Sequence, residues 1–395
     1  MDKVGVWLIG ARGSVATTAT AGAAAIKAGL APPQGCVTES PHFPATLVPL
    51  AGLVFGGHDI TETPLRKRAE QLGRAGVVPP HLPDLIAADL DAADAEIRPG
   101  HVPSHVPSHV SGDVPGDVPG DRDQAAAAAR LGDDIAAFRT RHRLARVVVV
   151  NVSSTEPPAA DRPEFARLAD LEERLAAGDD VLPPSSLYAY AAFQAGCGYV
   201  EFTPSTGPTL PALAELAALR QVPYAGRDGK TGETLVKSAL APMFASRALR
   251  VRSWSGLNLL GGGDGATLAD PAARSSKQLS KDQVVAGVFD EPVEGQTHID
   301  FVADLGEWKT AWDHVTFEGF LGVRMALQFT WQGCDSALAA PLVLDLARLV
   351  ARAHEKGRHG PLPELGYFFK NPLGGGEHAL AAQYARLRAF AEELS

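Results

Sequence analysis

Hydrophobic runs and helix-forming stretches alternate along the first half of the chain. Unbroken apolar runs predict buried strands at 4–10, within 144–155 and within 196–207. Ala-rich or amphipathic stretches predict helices at 14–29, 162–177 and 209–220. Apolar strands that alternate with helices are typical of a parallel sheet covered on both faces. The first half is therefore predicted to be an α/β domain with a doubly wound parallel sheet.

The pattern changes from about residue 235. Three segments, "ALRVRSWSGLNLLGG", "GQTHIDFVADLG" and "FLGVRMALQFTWQ", predict strands of a second sheet. A long amphipathic helix is predicted at 335–357, with Asp335 as its cap and lysine and glycine at its end. The last segment, "YARLRAFAEELS", is also predicted to be helical.

A short repeat interrupts the first half. The segment "HVPSHVPSHVSGDVPGDVPGD", at 101–121, repeats every four residues with Pro or Gly in almost every unit. Such a segment cannot contribute to a packed core, which predicts a surface insertion. Its histidines, His101, His105 and His109, suit either a metal-binding tract or repeat expansion in a tolerant loop. The second interpretation needs no ligand, so no metal site is predicted.

Composition narrows the classes of function. The chain of 395 residues has 36 Lys and Arg against 46 Asp and Glu, which argues against a general nucleic-acid binder. A local basic pocket for a small anion remains compatible with this charge. Three widely spaced cysteines predict free thiols in a reducing compartment. The N-terminal apolar run is too short for a signal peptide or a membrane span, so a cytoplasmic protein without a membrane partner is expected.

Two glycine-rich turns are candidate phosphate sites. "GARGS", at 10–14, follows a predicted strand and precedes a predicted helix, where backbone amides can hold a pyrophosphate. Because the pattern is not GxGxxG, a strand-to-helix turn without a ligand is an equally good interpretation. Asp59, in "FGGHDI", suits ribose hydroxyls or a simple turn. "AGRDGKTGETLVKSALAPMF", at 225–244, opens a second predicted helix and also suits a phosphate.

Lysines recur beside glycine turns, apolar residues or acids. They are Lys230, Lys237, Lys277, Lys281, Lys309 and Lys370. Lys277 and Lys281 stand four positions apart, where like charges on one helix face destabilise the helix slightly. Each lysine alone is most simply a solvated surface charge. Their repeated surroundings instead indicate an anionic substrate.

Several motifs, in order, resemble the myo-inositol-1-phosphate synthase (inositol-3-phosphate synthase) family. The segments that carry the resemblance are "FGGHDI", "NVSSTE", "GKTGETLVKSALA", "LGGGDGATLADP", "SSKQLSK", "DLGEWKTAWDHV", "CDSALAAPLVLDL" and "GYFFKNPL". The match runs from about residue 4 to residue 375. A set of ordered motifs is far more specific than any single glycine loop.

The resemblance implies a Rossmann-like domain that binds NAD and an inserted α+β sheet domain for catalysis and tetramerisation. The expected division is 1–235, 236–340 and 341–395, with the last segment returning to the NAD-binding domain. The expected partners are a sugar phosphate and other copies of the chain, as a homotetramer. The expected reaction turns glucose 6-phosphate into myo-inositol 1-phosphate. It proceeds by oxidation at C5, enolisation at C6, aldol closure and re-reduction, with NAD recycled.

The resemblance also assigns roles to residues. The catalytic set is Lys277 for proton transfer at C5, with Lys281, Lys309 and Lys370 for phosphate or oxyanions. The phosphate contacts are Thr231, Gly232, Lys281 and Lys309. The orienting acids are Asp228, Asp304 and Asp335. The cofactor-binding set is Gly10, Ala11, Arg12, Gly13, Ser14, Val15, Asp59, Asn151, Ser153, Ser154, Thr155, Gly263, Asp264 and Asp335.

The chain departs from the family pattern at several of these motifs. Gly262 and Gly263 replace paired asparagines, Glu233 replaces a glutamine near the phosphate, and Glu307 and Trp308 replace an aspartate and a serine. A carboxylate at Glu233 is unfavourable for a phosphate dianion unless it is paired.

These departures leave other functions open. Fructose 6-phosphate, cyclised through C6 onto its C2 ketone, would give a five-membered cyclitol phosphate, as a carbocyclic sugar analogue requires. A non-catalytic NAD-binding relative with a regulatory role is a second alternative. A simple dehydrogenase that releases NADH is a third.

Overall fold

The first sheet of the fold has seven parallel strands. The structure, a computed structural model, describes residues 3–41, 43, 46–102, 123–262, 288–289 and 291–395. The strands are β1 Val4–Ile9, β2 Leu53–Asp59, β3 Ile97–Pro99, β4 Arg146–Asn151, β5 Gly198–Glu201, β6 Pro223–Gly226 and β11 Gly360–Pro361. Their order across the sheet is β11-β6-β5-β4-β1-β2-β3. The predicted parallel sheet is confirmed.

Helices cover both faces of this sheet. They are α1 Ser14–Lys27, α2 Leu65–Arg74, α3 Leu82–Leu85, α4 Ala87–Asp94, α5 Gln124–His142, α6 Leu168–Ala176, α7 Pro184–Gln194 and α8 Pro211–Arg220. Successive β1 side chains enter different cores, with Leu8 on the side of α1 and Trp7 on the side of α5 and α7. This alternation explains why the strands read as unbroken apolar runs.

Strand β2 was missed by the sequence analysis because Gly56 and Gly57 interrupt its apolar pattern. The glycines are required by the packing of the sheet. A Cβ at Gly57 would lie 2.1 Å from the carbonyl oxygen of Leu8 on the neighbouring strand. A side chain there would force β1 and β2 apart.

The second sheet follows a connecting helix, α9 Gly232–Ser246. Its strands are β7 Arg250–Leu260, β8 Thr297–Phe301, β9 Lys309–Glu318 and β10 Arg324–Gly333, in the order β10-β9-β7-β8. Strand β9 pairs antiparallel with β7 and β10, whereas β8 pairs parallel with β7. The sequence pattern predicts β7, β8 and β10, but not β9, because the charged residues of β9 obscure its alternating pattern.

The chain then returns to the first sheet. Helix α10, Asp335–Glu355, packs on α1 and on the central strands, and α11, Leu380–Glu393, packs on a short 3₁₀ helix at Pro363–Phe368. The residue at the N-cap of α10 is Cys334, not Asp335 as the sequence suggested. The Asp335 carboxylate instead binds the side chains of Thr231 and Lys309.

The repeat segment is described only at its start. His101 is buried, and its backbone N–H donates to the Tyr188 hydroxyl at 2.7 Å. His105 and His109 lie outside the described residues.

Candidate active site

The glycine loop between β1 and α1 lies at the carboxyl end of the first sheet. Gly10 has φ +78, and a Cβ there would lie 2.8 Å from Ser153 Cα. The loop closes by a hydrogen bond from Gly13 N to Gly10 O at 3.0 Å. Helix α1 has no acidic residue in its first turn and no side-chain cap. Its N-terminus is therefore suited to an anion.

Asp59, at the end of β2, supports this loop. Its Oδ2 accepts from Arg12 N at 2.6 Å, and its Oδ1 accepts from the backbone and hydroxyl of Thr61 at 2.8 and 2.9 Å. The Arg12 guanidinium is directed to Asp94 Oδ1 at 3.0 Å and to Thr61 O at 2.7 Å. The sequence thus placed Arg12 in the loop correctly, but its charge is neutralised by Asp94.

The segment 151–155 faces the glycine loop from the end of β4. Asn151 is buried, and its Nδ2 donates to both Glu201 carboxylate oxygens at 2.9 and 3.0 Å. Its Oδ1 accepts from the Ser153 hydroxyl at 2.7 Å. Burial raises the pKa of Glu201 to about 8, against the opposing effect of hydrogen bonds from Thr203 and Asn151. Asn151 therefore fixes the segment that carries Ser153, Ser154 and Thr155.

A second candidate anion site lies where α9 begins beside β9 and α10. A Cβ at Gly232, which has φ +56, would lie 2.7 Å from Lys309 Nζ. Lys309 Nζ forms an ion pair with Asp335 Oδ2, and Thr231 Oγ1 donates to Asp335 Oδ1 at 2.9 Å. Glycine is favoured at this position because its φ lies in the left-handed region, which strains other residues. The structure thus brings together the predicted Thr231, Gly232, Lys309 and Asp335.

A buried ion pair joins Asp228, three residues before Thr231, to Lys370 from a distant part of the chain. Lys370 Nζ is 2.8 Å from Asp228 Oδ1, and both residues are less than 10% exposed. Two backbone bonds join their segments, from Lys370 N to Asp228 O at 2.7 Å and from Lys230 N to Phe368 O at 2.8 Å. Desolvation makes such a pair costly, so its presence at the carboxyl end of the sheet makes it a candidate functional group.

Beneath the start of α9 lies a buried cluster of Glu233, Lys237 and Asp313. Lys237 Nζ is 2.7 Å from Glu233 Oε1, 3.6 Å from Asp313 Oδ1 and 2.9 Å from Thr297 Oγ1. Burial, together with the neighbouring Glu233 carboxylate, raises the pKa of Asp313 to about 6. The Glu233 carboxylate, unfavourable for a phosphate if unpaired, is therefore paired by Lys237.

The remaining candidate residues divide into two groups. Lys277, Lys281, Gly263 and Asp264 lie outside the described residues. Asp304 is described, and it lies exposed in the 3₁₀ turn Ala303–Leu305. In the described part of the chain, no hydrogen bond or ion pair places Asp304 beside Lys309 or Lys370.

Lys230, between Asp228 and Thr231, is buried and donates to Gln383 Oε1 on α11. Burial lowers the pKa of Lys230 to about 7, from an ordinary value of 10.5. Between these two pH values the unfolded chain binds a proton that the folded chain lacks, so this residue makes stability rise with pH.

We therefore expect Lys230→Met to lose this pH dependence. The free energy of unfolding of the native protein, minus that of the variant, should increase from about pH 7 to about pH 10, by at most about 1.4 kcal/mol per pH unit. Urea unfolding at several pH values measures this difference. Lys356→Met, at an exposed lysine, serves as the control. A difference that stays flat across this range would contradict the expectation.

Sequence reasoning missed some residues that the structure places at the site. Glu201 reads as part of an apolar strand, and Asp313 lies in the unpredicted strand β9. Arg68, on α2, contacts Ser14 at the glycine loop and Glu307 beside Lys309. No local motif marks Arg68, because its partners are 54 and 239 residues away in the sequence.

Comparison with known proteins decides the family. An NAD-binding family model described as myo-inositol-1-phosphate synthase matches residues 4–391. The chain is 31% identical over 400 residues to inositol-3-phosphate synthase 1 of Bacteroides thetaiotaomicron, covering 95% of this chain and 91% of that protein. The chain belongs to the myo-inositol-1-phosphate synthase family. The family resemblance seen in the sequence is confirmed.

Solved structures support the same fold for this synthase family member. Inositol-3-phosphate synthase of Caenorhabditis elegans superposes with a TM-score of 0.86 at 24% identity, covering 100% of this chain and 86% of that one. A myo-inositol-1-phosphate synthase-related protein of Thermotoga maritima gives 0.76 at 21% identity, covering 98% of each chain. The predicted Rossmann-like fold with an additional sheet is confirmed.

The family match identifies the chain as an isomerase-type enzyme with NAD as its cofactor. The residues present fit NAD. The acid-free N-terminus of α1 suits the pyrophosphate, and Gly10 allows the loop to pack closely against Ser153 of the facing segment. Among the residues that the structure describes, no group of three or more His, Cys, Asp or Glu side chains is arranged to hold a metal ion. No helix in the described ranges is long and apolar enough to cross a membrane.

Proposed function

We propose that this chain converts glucose 6-phosphate to myo-inositol 1-phosphate (1L-myo-inositol 1-phosphate, also called the 3-phosphate). The observation that carries the proposal is the convergence of two lysine–aspartate pairs on one turn. The pairs are Lys370–Asp228 and Lys309–Asp335, and the turn opens α9. They lie in a family member whose named relatives are inositol-3-phosphate synthases.

The start of α9 is the proposed site of the substrate phosphate. Lys309 supplies a cation next to Gly232. The Thr231 hydroxyl donates to Asp335, the same carboxylate that pairs with Lys309. A dianion gains from a nearby ammonium group and from the helix N-terminus together. Asp335 holds Lys309 in place before the phosphate arrives. Lys281, outside the described residues, is proposed as a second phosphate contact from its motif.

Lys370 is the proposed stabiliser of the oxyanion that develops during aldol closure. Its ammonium group is fixed by Asp228 at 2.8 Å in a buried position. A cation that is already oriented lowers the barrier to charge development without reorganisation. Lys277 remains the proposed group for proton transfer at the C5 hydroxyl, from its motif alone. The role of Asp304 as an orienting acid is proposed from the sequence alone.

When bound, NAD supplies hydride transfer, first from C5 and finally back to it. The chain's own contribution is to hold the cofactor between the glycine loop, Asp59 and segment 151–155. We also propose that the domains divide at residues 235 and 340. The protein is further proposed to be a cytoplasmic homotetramer.

A product assay tests this function. The purified protein with NAD is incubated separately with glucose 6-phosphate and fructose 6-phosphate, and the products are identified by NMR. We expect a six-membered cyclitol phosphate from glucose 6-phosphate with no net accumulation of NADH. Accumulation of NADH would instead indicate a dehydrogenase.

The same assay decides the main alternative. A five-membered product from fructose 6-phosphate would overturn the proposed substrate and link the departures at Glu233, Gly262 and Trp308 to substrate choice. No conversion of either sugar, with NAD still bound, would favour the non-catalytic relative.

A further inference from the structure

Arg68 is a cation at the cofactor loop that no motif of the family resemblance includes. It lies on α2, and its Nη2 donates to Ser14 Oγ at 2.6 Å. Ser14 is the last residue of the glycine loop and the first residue of α1. The guanidinium of Arg68 is thus placed where the loop meets the helix N-terminus.

The surroundings of Arg68 distinguish it from Arg12, the cation within the loop itself. Arg12 forms an ion pair with Asp94 at 3.0 Å and donates to Thr61 O, whereas Arg68 donates to Ser14 Oγ at the start of α1. The first turn of α1 contains no acid. Arg68 is therefore a cation in contact with the first residue of α1, where a diphosphate bound to the glycine loop would lie.

A second contact fixes the guanidinium. Arg68 Nη2 donates to Glu307 Oε1 at 2.9 Å, and Arg68 Nη1 donates to Gln71 Oε1 at 3.1 Å. The side chains of Arg68 and Glu307 are 26% and 16% exposed. Glu307 belongs to the loop that precedes β9 and stands two residues before Lys309. Beside it, Trp308 Nε1 donates to Ala75 O at 2.8 Å, which anchors the same loop to the end of α2.

We propose that Arg68 binds the diphosphate of NAD, and that Glu307 is a positioning residue that orients Arg68 from the loop that precedes β9. Arginine suits this arrangement because its planar fork can engage an oxyanion and a carboxylate together. Arg68 then links the cofactor loop, through Ser14, to the loop that leads into β9, through Glu307. This inference rests on NAD as the cofactor and does not depend on the identity of the sugar phosphate.

Binding of NAD, measured by isothermal titration calorimetry without any sugar, tests the role of Arg68. We expect Arg68→Gln to raise the Kd of NAD about tenfold to a hundredfold, as loss of a charge-assisted contact implies. Arg68→Lys should fall between, because it keeps the charge but loses the fork. The matched control is Arg66→Gln on the same helix, where Arg66 pairs with Asp84 at 2.8 Å. This control should leave the Kd within about twofold.

Two further measurements separate binding from a structural role. ADP-ribose, which carries the diphosphate without the nicotinamide, should lose the same factor as NAD in Arg68→Gln. Glu307→Gln should cause no further change in the Kd of NAD when it is added to Arg68→Gln, because Glu307 acts through Arg68. A wild-type Kd for Arg68→Gln, even with a lowered melting temperature, would overturn the proposal and leave Arg68 as a tether between the two sheets. Because no sugar is present, a failed product assay would not affect the result.

Discussion

Replacing Lys370 with Met is expected to lower kcat about 10²- to 10³-fold with the substrate that the product assay identifies. The ammonium group of Lys370 is buried and oriented by Asp228 at 2.8 Å, so neither water nor another side chain replaces it cheaply. If this group stabilises an oxyanion in the transition state, kcat falls and the Kd of NAD does not change. Steady-state kinetics and calorimetry on the same preparation measure the two quantities.

The double variant Lys370→Met with Asp228→Asn separates catalysis from folding. The single variant removes the ammonium partner of a buried carboxylate, which also destabilises the fold. The second substitution removes that carboxylate's charge. Stability should therefore recover in the double variant, whereas kcat should stay low. Recovery of kcat along with stability would show that Lys370 acts only as a structural counter-ion. Lys356→Met, at an exposed lysine, is the control and should keep native kcat.

The largest loss of stability is expected for Lys237→Met. The ammonium group of Lys237 faces two buried carboxylates, of Glu233 and Asp313, at 2.7 and 3.6 Å. Removing one member of a buried ionic cluster costs about 3–5 kcal/mol, because the remaining charges stay in a poorly solvated site. We expect the free energy of unfolding, measured by guanidinium denaturation, to fall by this amount.

A second substitution, of one of these carboxylates, tests whether unpaired buried charge causes the loss of stability in Lys237→Met. Glu233→Gln combined with Lys237→Met should regain part of the lost stability, since one buried charge is removed with the lysine. Lys27→Met is the matched control, because Lys27 forms an exposed pair with Asp89 and should change stability by less than about 1 kcal/mol. A loss in Lys237→Met no larger than in this control would contradict the buried-cluster interpretation.

The sequence predicted the parts of this fold that depend on local patterns. The runs around β1 and β4 are apolar because both faces of the sheet are covered, and α1 ends near Gly29 as its pattern indicated. The strands that were missed depend on distant contacts. The glycines of β2 fit against β1, and the charges of β9 are matched by residues on α9 and α10.

The site was predictable to the extent that motifs mark it. Thr231, Gly232, Lys309 and Asp335 come together as the family resemblance implied, and Lys370 meets Asp228. The pairing of Glu233 with Lys237 follows from helical spacing, since the residues are four apart. The inclusion of Asp313 and the place of Arg68 could not be predicted, because each depends on how two separate segments pack.

The packing of α10 on α1 has a consequence for the order in which the molecule is assembled. The strands that carry the cofactor loop are synthesised early, but the helix that covers α1 begins only at Asp335. Until the ribosome has released that helix, the alanine-rich face of α1 stays open to water and to other chains. Helix α1 is therefore fully covered only after residues 335–355 have been synthesised, and a nascent chain stalled before this point would expose a surface that chaperones recognise.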